Sequence, residues 1–122
     1  MNKTIAILAI ASAAIGTGAA VKLSSLPVED VTVVQINAEW NENHTRRDLR
    51  DLRGCNYKFG WLEDQPEAIK NSVQAVPVVV IYDGDRPAWQ YVADISFRLE
   101  TPFNEIQNKV YELKQAKAIE QP

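Results

Sequence analysis

The densest group of chemistry-bearing side chains in this sequence is Glu39-Trp40-Asn41-Glu42-Asn43-His44, which sets two carboxylates, two amides and the only histidine within six consecutive positions. A general base or a metal ligand is the chemistry such a group would serve. A metal asks for three or four converging donors, however, and one imidazole beside flexible carboxylates does not supply them. The expectation is a solvent-exposed His44 in a first helical turn, with no metal and no cofactor. Cys55 is the single cysteine, so no internal disulfide can form and no second thiol can resolve a mixed one. At the start of an apolar strand it reads as a small packing residue rather than a nucleophile. Arg46, Arg47, Arg50 and Arg53 would grip an anion, but Asp48 and Asp51 are interleaved with them, and a segment laced with both signs reads as a solvated face. Trp61 and Trp89 read as packing residues, whereas Trp40 falls beside the polar group, half exposed, where an aromatic ring can anchor a partner. No Ser-His-Asp set, phosphate-binding glycine loop or zinc-cysteine pattern occurs.

The elements that must position these residues fit one domain, since the chain has 122 residues. Thirteen Lys and Arg against 16 Asp and Glu give a net charge of -3, without the basic excess that a dedicated nucleic-acid binder uses to neutralise phosphates, so nucleic acid is excluded as the expected partner. Residues 1–24 are a different material. Lys3 precedes an uncharged run from Thr4 to Val21, rich in Ala and Ile, and Lys22 follows it. The basic start, the short apolar run and Gly18-Ala19-Ala20 fit a secretory signal peptide. The same run sits at the lower edge of what spans a bilayer, which fits a membrane anchor, and Ala13, Gly16 and Ala20 would let it pack closely as a helix in an assembly. The expected location is therefore exported, periplasmic or membrane-associated, or else within a virion or other large assembly.

Ser24 to Pro27 reads as a linker, and the domain is expected over residues 28–117 with a tail at 118–122. Val31 to Ile36 is β-branched and apolar, the pattern of a strand covered on both faces. A helix is expected from Glu42 to Arg53 on the anchors Leu49 and Leu52, closed by Gly54. Cys55, Tyr57, Phe59 and Trp61 alternate with polar residues or glycine, which marks a second strand. A short helix follows from Glu67 to Ser72 behind Pro66, then a strand from Pro77 to Tyr82. The turn Asp83 to Pro87 leads into a strand from Ala88 to Val92, giving an antiparallel hairpin. Thr101 caps a last helix beginning at Pro102, with Phe103, Ile106, Val110 and Leu113 on its apolar face. A helical connection requires the first two strands to run parallel. The fold class is thus α/β, a β-α-β-α-β-β-α mixed sheet with helices on both faces, preceded by the hydrophobic N-terminal segment.

That order of elements, Ala38-Glu39-Trp40 leading into the first helix, and Val73-Gln74-Ala75-Val76-Pro77 opening the third strand together resemble the thioredoxin family over residues 31 to 115. The family sets a tryptophan before a Cys-x-x-Cys pair at a helix start and a cis-proline opposite it; Trp40 and Pro77 match those two places. The turn Asp83-Gly84-Asp85 resembles the family's Asn-Gly turn. The resemblance implies a thioredoxin-like fold and a cis bond before Pro77. It also exposes departures. Asn41 and His44 stand where the two cysteines would be, and neither can form a thiolate or resolve a mixed disulfide. The family's buried acid in the first strand is Gln35 here, and Val78 replaces threonine after the proline. Dithiol–disulfide exchange is therefore read as lost.

The resemblance further implies that Trp40, Asn41, Glu42, Asn43 and His44, with Val76, Pro77, Ala93 and Asp94, form the groove in which extended polypeptide is held by backbone hydrogen bonds. Such a groove without its cysteines points to binding rather than turnover. The expected function is a non-catalytic thioredoxin-like protein-binding module, exported or membrane-tethered, with a protein or extended peptide as partner. The alternative is a structural subunit of a larger assembly, such as an envelope complex or a virion, in which residues 1–24 form a packing helix. A third reading, an enzyme using His44 or a bound metal, rests on one imidazole.

Overall fold

Seven consecutive residues, Val31–Asn37, form the central strand β1, and all but Thr32 are buried. The computed structural model describes residues 30–120, with side chains described to residue 116. The expectations for residues 1–24, the linker and the end of the tail lie outside the described residues. β2 spans Asn56–Trp61, β3 spans Val78–Asp83 and β4 spans Arg86–Val92. Among the described residues two helices are α-helical, α1 over Glu67–Ser72 and α2 over Phe103–Glu120. The four strands make one sheet in the order β2-β1-β3-β4, with β1 parallel to β2 and the other two pairings antiparallel. This is a mixed α/β sheet, and the near-continuous burial of β1 follows from its having a strand on each side and a layer on each face.

The pleat of β1 and β3 separates two cores. Val31, Val33, Val79 and Ile81 face one side, where they meet Leu49, Leu52, Leu99, Ile106 and Val110. Val34, Ile36, Val78 and Val80 face the other, against Leu62, Ile69 and Val73. The apolar face expected for the last helix is the one it buries: Ile106 and Val110 are fully enclosed, and Phe103 and Leu113 pack at their margin. Truncating Ile106 to alanine costs about 2–5 kcal/mol, because the surrounding side chains only partly collapse into the void. This helix begins one residue later than expected, at Phe103, with the carbonyl of Pro102 accepting from the N–H groups of Glu105 and Ile106.

One element departs from expectation. The stretch from Glu42 to Arg53 is not a continuous α-helix; it is two 3-10 segments, Glu39–His44 and Arg47–Asp51, separated by Thr45 and Arg46 in extended conformation with ψ of 134° and 95°. The cause is the buried amide of Gln35. Its Oε1 accepts the backbone N–H of Arg46 at 2.9 Å and its Nε2 donates to the carbonyl of Arg46 at 3.0 Å. Both main-chain groups that a helix would need are thus committed to β1. With only Leu49 and Leu52 as apolar anchors, local helix propensity cannot compete.

At the hairpin, Asp83 pairs with Arg86 across a two-residue turn in which Gly84 takes φ of 67°. Glycine adopts this left-handed geometry without the steric penalty of a Cβ, and the turn's twist matches that of the strands.

Candidate functional site

The polar group singled out in the sequence lies where β1 ends and the first 3-10 segment begins. Asn37, the last residue of β1, and Asn41, four positions on, are both buried. Their amides bond reciprocally. Asn37 Nδ2 donates to the carbonyl of Asn41 at 2.9 Å and to Thr45 Oγ1 at 2.7 Å, while Asn41 Nδ2 lies 3.0 Å from Asn37 Oδ1. Asn41 Nδ2 also faces the carbonyls of Val76 at 3.3 Å and Phe97 at 3.1 Å. Three oxygens around one nitrogen fix which end of the amide points inward, and its two hydrogens are fully used. Asn41 therefore ties together the first 3-10 segment, the Val76–Pro77 approach to β3 and the loop after β4.

That loop supplies the other half of the site. The Asp94 carboxylate accepts the N–H and the hydroxyl of Ser96 and the N–H of Arg98, and Ser96's bonds hold its carboxyl below the ordinary aspartate range. The resulting tight turn forces Phe97 to φ of 61°, the left-handed region that a bulky side chain rarely enters. The strained backbone turns the Phe97 carbonyl inward, where it meets Asn41 Nδ2 and, at 2.9 Å, His44 Nδ1. Because a carbonyl only accepts, Nδ1 of His44 carries the hydrogen, which commits the ring to a positioning contact. The Phe97 ring turns outward and meets Trp40 edge-to-face with centroids 5.0 Å apart. Trp40 is 65% exposed, Phe97 39% and Ile95 96%. Trp40 and Phe97 thus share an exposed apolar contact, and Ile95 stands exposed two positions before Phe97 in the same loop.

The nine residues expected to line a groove thus divide into two layers. Trp40, Glu42, Asn43 and Asp94 are exposed and His44 is half-buried; Asn41, Val76, Pro77 and Ala93 are buried. The Val76–Pro77 bond is cis, as the resemblance implies, and the Pro77 carbonyl accepts the N–H of Ala93 at 3.1 Å. The Val76 carbonyl, in the segment expected to line the groove, accepts from Asn41 Nδ2 at 3.3 Å. Cys55 packs against the core on the α2 side of the sheet, half-buried. Among the described residues no group of His, Cys, Asp and Glu converges as a metal site, and no helix is long and apolar enough to cross a membrane.

The residues missed in the sequence are Asn37, Ile95 and Phe97. Asn37 had a signal, since an amide that ends an otherwise apolar strand must find buried partners. Phe97 had a fainter one in the Asp94-x-Ser96 spacing of an Asx turn. His44, expected to be solvent-exposed, is half-buried and bonded to the Phe97 carbonyl. Neither a protein-family model nor a curated protein matches this chain.

Proposed function

We propose that this chain is a non-catalytic, thioredoxin-like protein-binding module whose partner is an extended polypeptide segment docking on Trp40, Ile95 and Phe97. The observation that carries this reading is the fate of position 41. Where the resemblance sets the attacking thiol, a buried asparagine spends both amide hydrogens on internal oxygens. It offers no nucleophile, and it holds the Phe97 loop so that its ring and that of Trp40 stand outward. Rigid aromatic rings give large contact area at low entropic cost, the usual character of binding anchors. Engagement is through side chains of the rim, where the exposed apolar groups stand. The mixed-sheet order and the β-α-β-α-β-β-α sequence of elements support the thioredoxin-like assignment, with 3-10 turns standing for its first helix. Export or tethering by residues 1–24 belongs to the same proposal.

The test has two arms. Disulfide reduction driven by a small dithiol should proceed no faster with the wild type than with Cys55→Ala; a cysteine-dependent rate overturns the non-catalytic reading. A panel of labelled extended peptides with apolar residues at alternate positions should contain binders whose anisotropy response falls at least about tenfold in affinity with Trp40→Ala or Ile95→Asp, the loss expected when an interface anchor is removed. Binders indifferent to both substitutions overturn the docking surface.

A further inference from the structure

The break in the expected helix has a consequence on the opposite side of Gln35. A cleft of about 190 Å³ lies between the two 3-10 segments and the edge strand β2. Its floor is Tyr57, Phe59 and Trp61, which alternate residues of β2 bring to one face, and Phe59 and Trp61 hold each other edge-to-face at 4.8 Å. Its wall is Arg46, Arg47 and Arg50.

These arginines are not equivalent. Arg46 is structural: its guanidinium bonds Asp48 at 2.9 and 3.0 Å and the carbonyls of Leu99 and Thr101. Arg47 and Arg50 have no acceptor among the described residues. They are three positions apart in a 3-10 segment, where three residues make a turn, so both side chains project on one side. Tyr57 adds a third donor. Its hydroxyl oxygen accepts from Gln35 Nε2 at 2.8 Å, which leaves its own proton for a ligand. Burial raises its pKa, so the phenol stays protonated at neutral pH. Glu42 is the acid on the rim, and with Arg46 offset by Asp48 the lining carries one net positive charge.

We propose that this cleft binds an aryl phosphate, its ring against Phe59 and Trp61 and its phosphate oxygens held by Arg47, Arg50 and the Tyr57 hydroxyl. Three donor groups match a group with three terminal oxygens, and guanidinium is the side chain best suited to phosphate. The size sets the limit. Sites for drug-sized ligands run from about 300 to 1,000 Å³, so this one takes a single ring with its phosphate and not a dinucleotide. That chemistry has two sources, a free phosphate ester or a phosphotyrosine in a protein.

The test titrates the isotope-labelled protein with phenyl phosphate, inorganic phosphate and a short phosphotyrosine peptide, following the Trp61 indole N–H beside those of Trp40 and Trp89. Phenyl phosphate should shift Trp61 saturably and bind at least about tenfold tighter than inorganic phosphate. Arg50→Gln should weaken it about tenfold, the ratio one charge-assisted hydrogen bond carries, and Glu42→Gln should tighten it. Both substitutions fall on exposed residues, and unchanged amide shifts elsewhere check the fold. A peptide binding well above phenyl phosphate assigns the site to a modified protein; equal affinity assigns it to a free ester. Phenyl phosphate binding no better than inorganic phosphate, or indifferent to Arg50→Gln, overturns the proposal.

Discussion

Two surfaces of this molecule are built from the same face of one strand, and they treat polar groups in opposite ways. Asn37 and Gln35, two residues apart on β1, are both fully buried amides. Asn37 supports the patch of Trp40, Ile95 and Phe97, and there the surrounding amides and carbonyls satisfy one another while apolar rings are left outside. Gln35 supports the cleft beside β2, and there the rings form a floor while Arg47, Arg50 and the Tyr57 proton are left for a visitor. A buried amide with a full set of partners acts as a rigid strut; what it props up decides whether the surface presents apolar side chains or charged ones.

The comparison makes Gln35 the more consequential strut. Its amide spans Arg46 N–H, Arg46 carbonyl and Tyr57 hydroxyl, so Gln35→Leu strands main-chain groups in the interior and should cost about 2–4 kcal/mol. Urea denaturation measures this, and a loss below 1 kcal/mol, about the net value of one hydrogen bond, would show that the extended break at Arg46 has other support. Asn41→Ala should cost less, about 1–3 kcal/mol, because Asn37 keeps Thr45 and the Phe97 carbonyl keeps His44 as partners, while the Val76 carbonyl loses the Asn41 amide. Its distinguishing effect is local: faster amide exchange in residues 94–98 than elsewhere.

Why the strands were legible and this site only partly so is visible in these residues. β1 and β3 are near-continuous apolar runs, the face of α2 repeats its apolar side chains at helical spacing, and burial obeys both directly. The pair β1–β2 had to be parallel once a connection of that length was recognised. The break at Thr45–Arg46 was hidden because it depends on a side chain eleven positions earlier, and no local window contains both. The loop from Asp94 to Arg98 was hidden for a similar reason, since Phe97 takes its left-handed conformation from the Asp94 carboxylate and from partners more than fifty residues away. The resemblance anticipated the cis bond before Pro77, while the amide chemistry beside it belongs to this chain.

Smaller effects separate the loop's conformation from its contacts. The Asp94 carboxyl is held below its ordinary range by Ser96, so the stabilisation is present above the unfolded aspartate value, about 3.9, and is lost as pH falls through the lower folded value. Acidification below about pH 4 should therefore loosen Phe97 from Trp40, seen as a change in tryptophan fluorescence, and Asp94→Asn should remove that pH response. A response that survives in Asp94→Asn would place the titrating group elsewhere. Phe97→Asn should be the mildest to the fold, within about 1 kcal/mol, because asparagine tolerates the left-handed region that phenylalanine resists. It should nevertheless weaken peptide binding as Trp40→Ala does. Retained affinity in that variant would reduce Phe97 to a structural residue.

The most direct measurement of the central claim is chemical-shift mapping of the labelled domain with the tightest peptide of the apolar panel. The account predicts saturable shifts at the Trp40 indole, the Ile95 methyls and the Phe97 amide, with the Trp61 indole of the β2 cleft unmoved. Shifts centred on Trp61, with Trp40 and Ile95 silent, would contradict it and transfer the binding function to the arginine-lined cleft.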